Sequence, residues 1–202
     1  MFQSLKQLQE ELLQCTGCSL AKTRNRVIPG EGPADTSIVL LGEAPGGHED
    51  VVSGKAFTGE AGQNLAGFLE TLGLTRRQIY LTNTVKCRPT KPSSRGRYNQ
   101  YANRRPTSKE IAACGTWVEK EMALIRPRVI ITLGSVPLWK ILGKSPRMAS
   151  YHGRPFAAPQ WGCDIFPLYH PAALIYDPKK KTLYENDLEK LKGFLQDLKL
   201  LK

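Results

Sequence analysis

Residues 37–65 read SIVLLGEAPGGHEDVVSGKAFTGEAGQNL, and the interpretation of this stretch decides the fold. Ile38 to Leu41 is a continuous apolar run of the kind that makes a buried strand, and it stops at Gly42-Glu43-Ala44-Pro45-Gly46-Gly47. A carboxylate at a strand end, followed by a turn that Pro and Gly force open, is the layout of a ligand site in an open α/β sheet. Beyond the loop, Leu65, Phe68, Leu69 and Leu72 recur at helical spacing, which predicts a helix over 62–72 with Gly73 as its stop. On these residues alone an ordinary strand-to-loop exit accounts for the run equally well, because short Gly-rich runs are weak signals.

Outward from this stretch the pattern repeats. Ile79 to Val85 (IYLTNTV) is rich in β-formers and carries Asn83 near its end, where the amide either satisfies loop backbone or reads a ligand. Val129 to Leu133 (VIITL) is a second buried run, stopped by Gly134-Ser135, and Asp164 to Leu168 exits into Tyr169-His170-Pro171. Pro171 disfavours helix at His170 and so pushes it into an extended or turn conformation at a strand tip. Helices are expected at residues 1–13, from Thr107 onward, at 136–142 and over 184–201. Thr107 with Glu110 three residues later reads as a capping box, and Ile111, Trp117, Val118, Met122 and Ile125 supply the apolar face behind it. Strands separated by helices imply a three-layer α/β/α fold with a mostly parallel central sheet, here as one domain over residues 1–202. The carboxyl ends of such strands share one edge, so Glu43, Asn83, Gly134-Ser135 and His170 should converge there.

The composition, 41% apolar and 23% charged over 202 residues, is that of an ordinary globular chain. No run reaches the roughly 18 apolar residues of a membrane span. The first residues read as an amphipathic helix and not as a secretory signal, so a cytoplasmic location without membrane contact is expected. A net charge of +11 favours a polyanionic partner, with nucleic acid first. The charge is concentrated in Thr90 to Pro106 (TKPSSRGRYNQYANRRP), which has no acidic residue, five basic ones and the tyrosines Tyr98 and Tyr101. This segment is expected to be an exposed, mobile basic insertion suited to phosphate contact and base stacking, or in the plainer reading a solvated surface loop.

Five cysteines without a secretory signal argue against a disulfide framework. Cys15 and Cys18 form a CxxC pair, while Cys87 and Cys114 stand far apart in KCRP and AACG. Four thiolates serve either zinc or an iron–sulfur cluster, and the split second half favours the cluster. Cys163 is expected to be a small core residue.

The motifs GEAPG with GKAFTGEAG behind it, TNTVKCRP, PTSKEIAAC, VIITLG and YHPAAL, taken in this order, resemble the iron–sulfur uracil-DNA glycosylases of family 4. The resemblance runs from the CxxC pair to the final helix. It implies a uracil-DNA glycosylase-like fold and a monomer acting on uracil-containing DNA. It further implies a structural [4Fe-4S] cluster on Cys15, Cys18, Cys87 and Cys114. By position, Glu43 and Ala44 match the first motif, Glu49 a further acidic position in its loop and Phe57 the aromatic on which uracil stacks. Asn83 matches the amide that reads the base edge, and His170 the histidine of the second motif. Leu174, four residues after His170, is a candidate wedge for the gap left by a flipped base.

Two departures accompany the resemblance. GKAFTG stands where the family more often has G-[RK]-P-F-V-G, with one extra residue before it, and the segment between Cys87 and Cys114 is longer. A longer loop here is similar to that of relatives that trap DNA covalently through a histidine; this loop has none, so ordinary turnover is expected. The rival readings are a non-catalytic iron–sulfur DNA-binding accessory protein and a thiol-rich α/β enzyme acting on free nucleotides.

Overall fold

The computed structural model describes residues 2–98, 100–171 and 179–201. Its centre is β1 (Ile38–Gly42), every residue of which is buried. Burial on both faces is what the unbroken apolar run requires, because alternate side chains of a strand point to opposite sides. Ile38 and Leu40 pack on one face with Leu69, Leu188 and Leu195. Val39 and Leu41 pack on the other with Leu8, Val118, Met122 and Leu138.

Five strands form the main sheet in the order β2 (Tyr80–Asn83), β1, β5 (Val129–Leu133), β7 (Cys163–Leu168), β6 (Phe156–Ala158). The first four are mutually parallel, and β6 is an antiparallel edge strand on β7 that the sequence pattern does not announce. One face is covered by α2 (Glu60–Leu72) and α5 (Lys179–Asp197). The other is covered by α1 (Leu5–Leu13), α3 (Ser108–Ile125) and α4 (Ser135–Leu142). The expected α/β/α sandwich is therefore present, and the capping box on α3 is formed as read, with Thr107 and Glu110 bonded reciprocally.

The expectation that Thr90 to Pro106 lacks regular structure is corrected. Thr90–Pro92 (β3) and Tyr101–Asn103 (β4) pair as an antiparallel hairpin. Arg104 fastens its base through two hydrogen bonds to the Glu110 carboxylate, at 2.8 and 2.7 Å. Arg88 braces its second strand, donating to Asn103 Oδ1 at 2.7 Å and to the Tyr101 carbonyl at 3.1 Å. Ordering comes from charged groups outside the segment, a source that the segment's own composition does not reveal.

The chain order places β2 and β5 on opposite sides of β1. That reversal is the topological switch point of an open parallel sheet, where loops leaving the carboxyl ends diverge and leave a crevice. Gly42 lies beside Asn83 in register, and Leu133 beside Leu168, so the loops carrying Glu43, Asn83, Gly134 and His170 leave from one edge.

Candidate active site

A cleft of about 410 Å³ opens at that edge. Ala44, Glu49, Phe57, Asn83 and His170 all line it, joined by His48 and by Arg88, Arg95, Arg97, Tyr98 and Asn103 of the hairpin and its approach. Residues spread over more than a hundred positions of chain thus share one concavity.

Gly42 explains how two of them meet. A Cβ at this position would lie 2.4 Å from Asn83 Oδ1 and 2.7 Å from Phe57 Cζ, both far inside contact distance. The amide and the ring therefore occupy the space that a side chain at the end of β1 would fill. Phe57 sits in the left-handed region at φ 54°, a conformation costly for an aromatic residue. Arg76 holds it there, donating to the carbonyls of Phe57 at 3.0 Å and Ala56 at 2.8 Å. Asn83 is 5% exposed, and its side chain makes no hydrogen bond among the described residues. Thr84 and Val85, directly after it, anchor the loop by donating to the carbonyls of Gly42 and Glu43.

Glu49 lines the cleft, yet its carboxylate is occupied by its own loop. Oε2 accepts from the Gly46 backbone N–H at 3.1 Å, while Oε1 accepts from those of Thr58 at 3.2 Å and Gly59 at 2.9 Å. It ties the GEAPGG turn to the segment carrying Phe57. Asp50 beside it does the same for residues 25 and 26.

Glu43 does not line the cleft; it stands half-buried at the start of the loop. Burial raises its pKa above the ordinary carboxylate value, opposed by the positive charge of Arg105. Arg105 in turn donates to Ser135 Oγ at 3.1 Å, at the start of α4. His170 lies against Gly134, whose missing side chain would come within 3.3 Å of the His170 Cβ. Burial lowers the pKa of His170, which keeps the imidazole neutral at pH 7. Leu174 lies outside the described residues.

The hairpin supplies a wall that the sequence reading left as a surface feature. The Tyr98 ring occupies the space above Gly47, where a Cβ would lie 2.2 Å from Cδ2. The guanidinium groups of Arg88 and Arg97 each stand 5.7 Å from the centre of that ring. Two of these wall residues, Arg88 and Asn103, were not singled out from sequence. Nothing local marks them, since their position depends on the hairpin folding back.

Away from the cleft, Cys15, Cys18, Cys87 and Cys114 line one small cavity with Leu12, Gly17, Arg24, Val27 and Lys86. Burial pushes the Cys87 thiol up to about 11 and the Cys114 thiol up to about 12. The Lys86 backbone N–H points at Cys114 Sγ at 3.2 Å, and Arg24 donates to Cys87 Sγ at 3.5 Å. Among the described residues no group of three or more His, Cys, Asp or Glu is arranged to hold a metal ion. The donor chemistry nevertheless fits a thiolate-bound group, with four cysteines lining one enclosure and N–H donors directed at the sulfurs of two of them. Cys163 is apart from these, half-buried against the core as expected. Among the described residues no helix is long and apolar enough to cross a membrane.

Comparison with known proteins bears directly on this cleft. The model of the uracil DNA glycosylase superfamily matches residues 29–199. A type-4 uracil-DNA glycosylase of Saccharolobus solfataricus is 37% identical over 199 residues, covering 95% of this chain and 87% of its own. Those of Archaeoglobus fulgidus and Thermotoga maritima are each 34% identical, covering 94% of this chain and 92% and 93% of their own. The chain belongs to the type-4 family of the uracil-DNA glycosylase superfamily. Family membership thus agrees with the resemblance read from the motifs, and it covers both the cleft and the cysteine enclosure.

Proposed function

We propose that this protein is a monofunctional uracil-DNA glycosylase, which rotates uracil out of DNA and hydrolyses its N-glycosidic bond to leave an abasic site for base excision repair. The observation that carries this reading is the joint placement of Phe57 and Asn83 over Gly42, in a cleft that also receives His170 and is walled by arginines. A base inside a duplex is out of reach, so a pocket of this kind needs one aromatic face, one edge-reading amide and cations for the backbone.

The Asn83 amide donates to uracil O4 and accepts from N3–H, whereas cytosine offers a donor and an acceptor in the reverse places. A matched pair of such bonds discriminates by about 1–3 kcal/mol. When the C1′–N1 bond breaks, its electrons pass to the uracil ring and positive charge builds on the sugar. Neutral His170 donates its N–H toward uracil O2 and stabilises the departing anion. Water adds at C1′ and its proton leaves to solvent, while Glu43, half-buried at the start of the loop next to Ala44 of the cleft lining, orients that water or balances the cationic sugar. Glu49 acts by fixing the loop, since its oxygens already accept three backbone donors.

Cys15, Cys18, Cys87 and Cys114 hold a [4Fe-4S] cluster in this reading. Such a cluster supplies covalent cross-linking here, joining the end of α1, the loop after β2 and α3. Support comes from the four cysteines lining one enclosure, with N–H donors directed at two of their sulfurs. The chain works as a monomer and as one domain bearing the hairpin at about 90–106.

Incubation with a uracil-containing oligonucleotide followed by alkaline cleavage tests the assignment. A cleaved band that depends on uracil is expected. Tight binding without cleavage would instead identify an accessory module, and a protein–DNA adduct stable to denaturation would identify a covalent trap.

A further inference from the structure

Arg88 follows the cysteine loop and reaches into the cleft beside Asn83 and His170. It is 3% exposed, and a guanidinium so enclosed is costly unless an anion faces it. Among the described residues it forms no ion pair. Its Nε and Nη2 donate to Asn103 Oδ1 and to the Tyr101 carbonyl, both neutral acceptors, and Nη1 makes no hydrogen bond among the described residues. The Tyr98 ring at 5.7 Å gives partial compensation only. Glu49, the carboxylate that shares the cleft, is committed to the backbone N–H groups of Gly46, Thr58 and Gly59.

We infer that Arg88 is an anion subsite within the cleft, built to receive the DNA phosphodiester beside the extruded nucleotide. The identity of that nucleotide rests on the glycosylase reading; the need for an anion does not. Two of the five guanidinium donors fix the plane of the fork against the hairpin, leaving Nη1 to meet a phosphate oxygen. Arg95 and Arg97, exposed on the same wall, continue the positive surface outward along the strand. The hairpin is thereby a part of the substrate site that appears only when β3 and β4 pair. Its bond from Arg88 makes the wall and the subsite one unit.

The test measures binding and cleavage separately. Oligonucleotides carrying a non-hydrolysable 2′-fluoro-deoxyuridine are made with a neutral methylphosphonate at one flanking phosphate at a time, and affinities are read by anisotropy. In the wild-type protein one position is expected to weaken binding by about 10-fold or more. In Arg88→Gln that same position has no further effect, and the slope of log Kd against log salt is shallower by about 1. Arg88→Lys, which keeps the charge without the fork, retains the salt slope and loses only part of the affinity. The inference is overturned if Arg88→Gln responds to every methylphosphonate as wild type does. A salt slope lowered equally in both variants, or unmoved in both, also overturns it. If Arg88→Gln weakens inhibition by free uracil instead of backbone contact, the anion is the departing base and the phosphate assignment fails. Excision of ordinary uracil by the wild-type protein is followed in parallel, so failure of the glycosylase reading shows there and leaves the binding result to stand by itself.

Discussion

Lys86 and Arg88 flank the same cysteine, both are cations and both are almost completely enclosed, yet the protein treats them oppositely. Lys86 is neutralised internally: its ammonium lies 2.6 Å from Glu121 Oε2 and also contacts Thr82, and Tyr80 and Thr82 donate to the same carboxylate. Arg88 faces the cleft with neutral acceptors only among the described residues. The difference separates two uses of a buried charge. One joins α3 to β2 and is complete in the folded chain; the other is completed by what binds. Asn83 and Glu49 divide in the same way, the first with its amide open to the cleft and the second with its carboxylate fully engaged.

The contrast breaks first at Lys86. Lys86→Met leaves Glu121 buried without its cation, and the expected loss of about 3–5 kcal/mol in denaturant unfolding is the largest effect anticipated. Lys86→Met/Glu121→Leu should recover most of it. A single variant costing less than the double would mean that the pair is not what stabilises this junction.

In the cleft the opposite signature is expected. His170→Ala and Asn83→Ala each slow single-turnover excision by about 100- to 1,000-fold, comparable to removal of one donor from a preorganised anion site. Thermal melting and the visible absorbance of the protein should be unchanged. A fall in melting temperature with activity per folded molecule preserved would move these residues into the same class as Lys86.

The smallest effect concerns the base of the hairpin. Hydrogen bonds from Arg104, followed by those of the helix cap at Thr107, hold the Glu110 carboxyl down to about 2, below its unfolded value. Its contribution is complete above the ordinary carboxylate range and is lost as pH falls through that range toward 2. Glu110→Gln should therefore cost about 1–2 kcal/mol at pH 7. The gap between variant and wild type should close as the pH is lowered in urea unfolding. A gap that persists at acid pH would assign the loss to packing and not to charge.

The strands of this fold were legible because buried parallel strands are nearly pure apolar runs; Ile38–Leu41 and Val129–Leu133 appear almost where they were expected. The convergence of Asn83 and His170 followed from topology alone, since carboxyl ends of parallel strands share an edge. The hairpin was not legible, because Arg88 and Glu110, which order it, lie outside the segment whose composition suggested mobility. Edge strand β6 was missed for a related reason: Phe156–Ala158 is too short to show a period and is specified by its neighbour β7. Glu49 was reached only through its match by position to the family's loop, and only the geometry shows its oxygens turned to backbone N–H groups. Glu43 illustrates the converse, a strand-end carboxylate that stands off the cleft lining at the start of its loop.

Gly42 carries a consequence for how this chain tolerates change. The hydrogen bonds of β1 run in the plane of the sheet, and only the space above the Gly42 α-carbon is taken, by the Asn83 amide and the Phe57 ring. A methyl group there is compatible with a strand and incompatible with the pocket. Because Phe57 belongs to the core packed on β1, drift to alanine here would keep the ladder of the strand while displacing both the amide and the ring that close this end of the cleft.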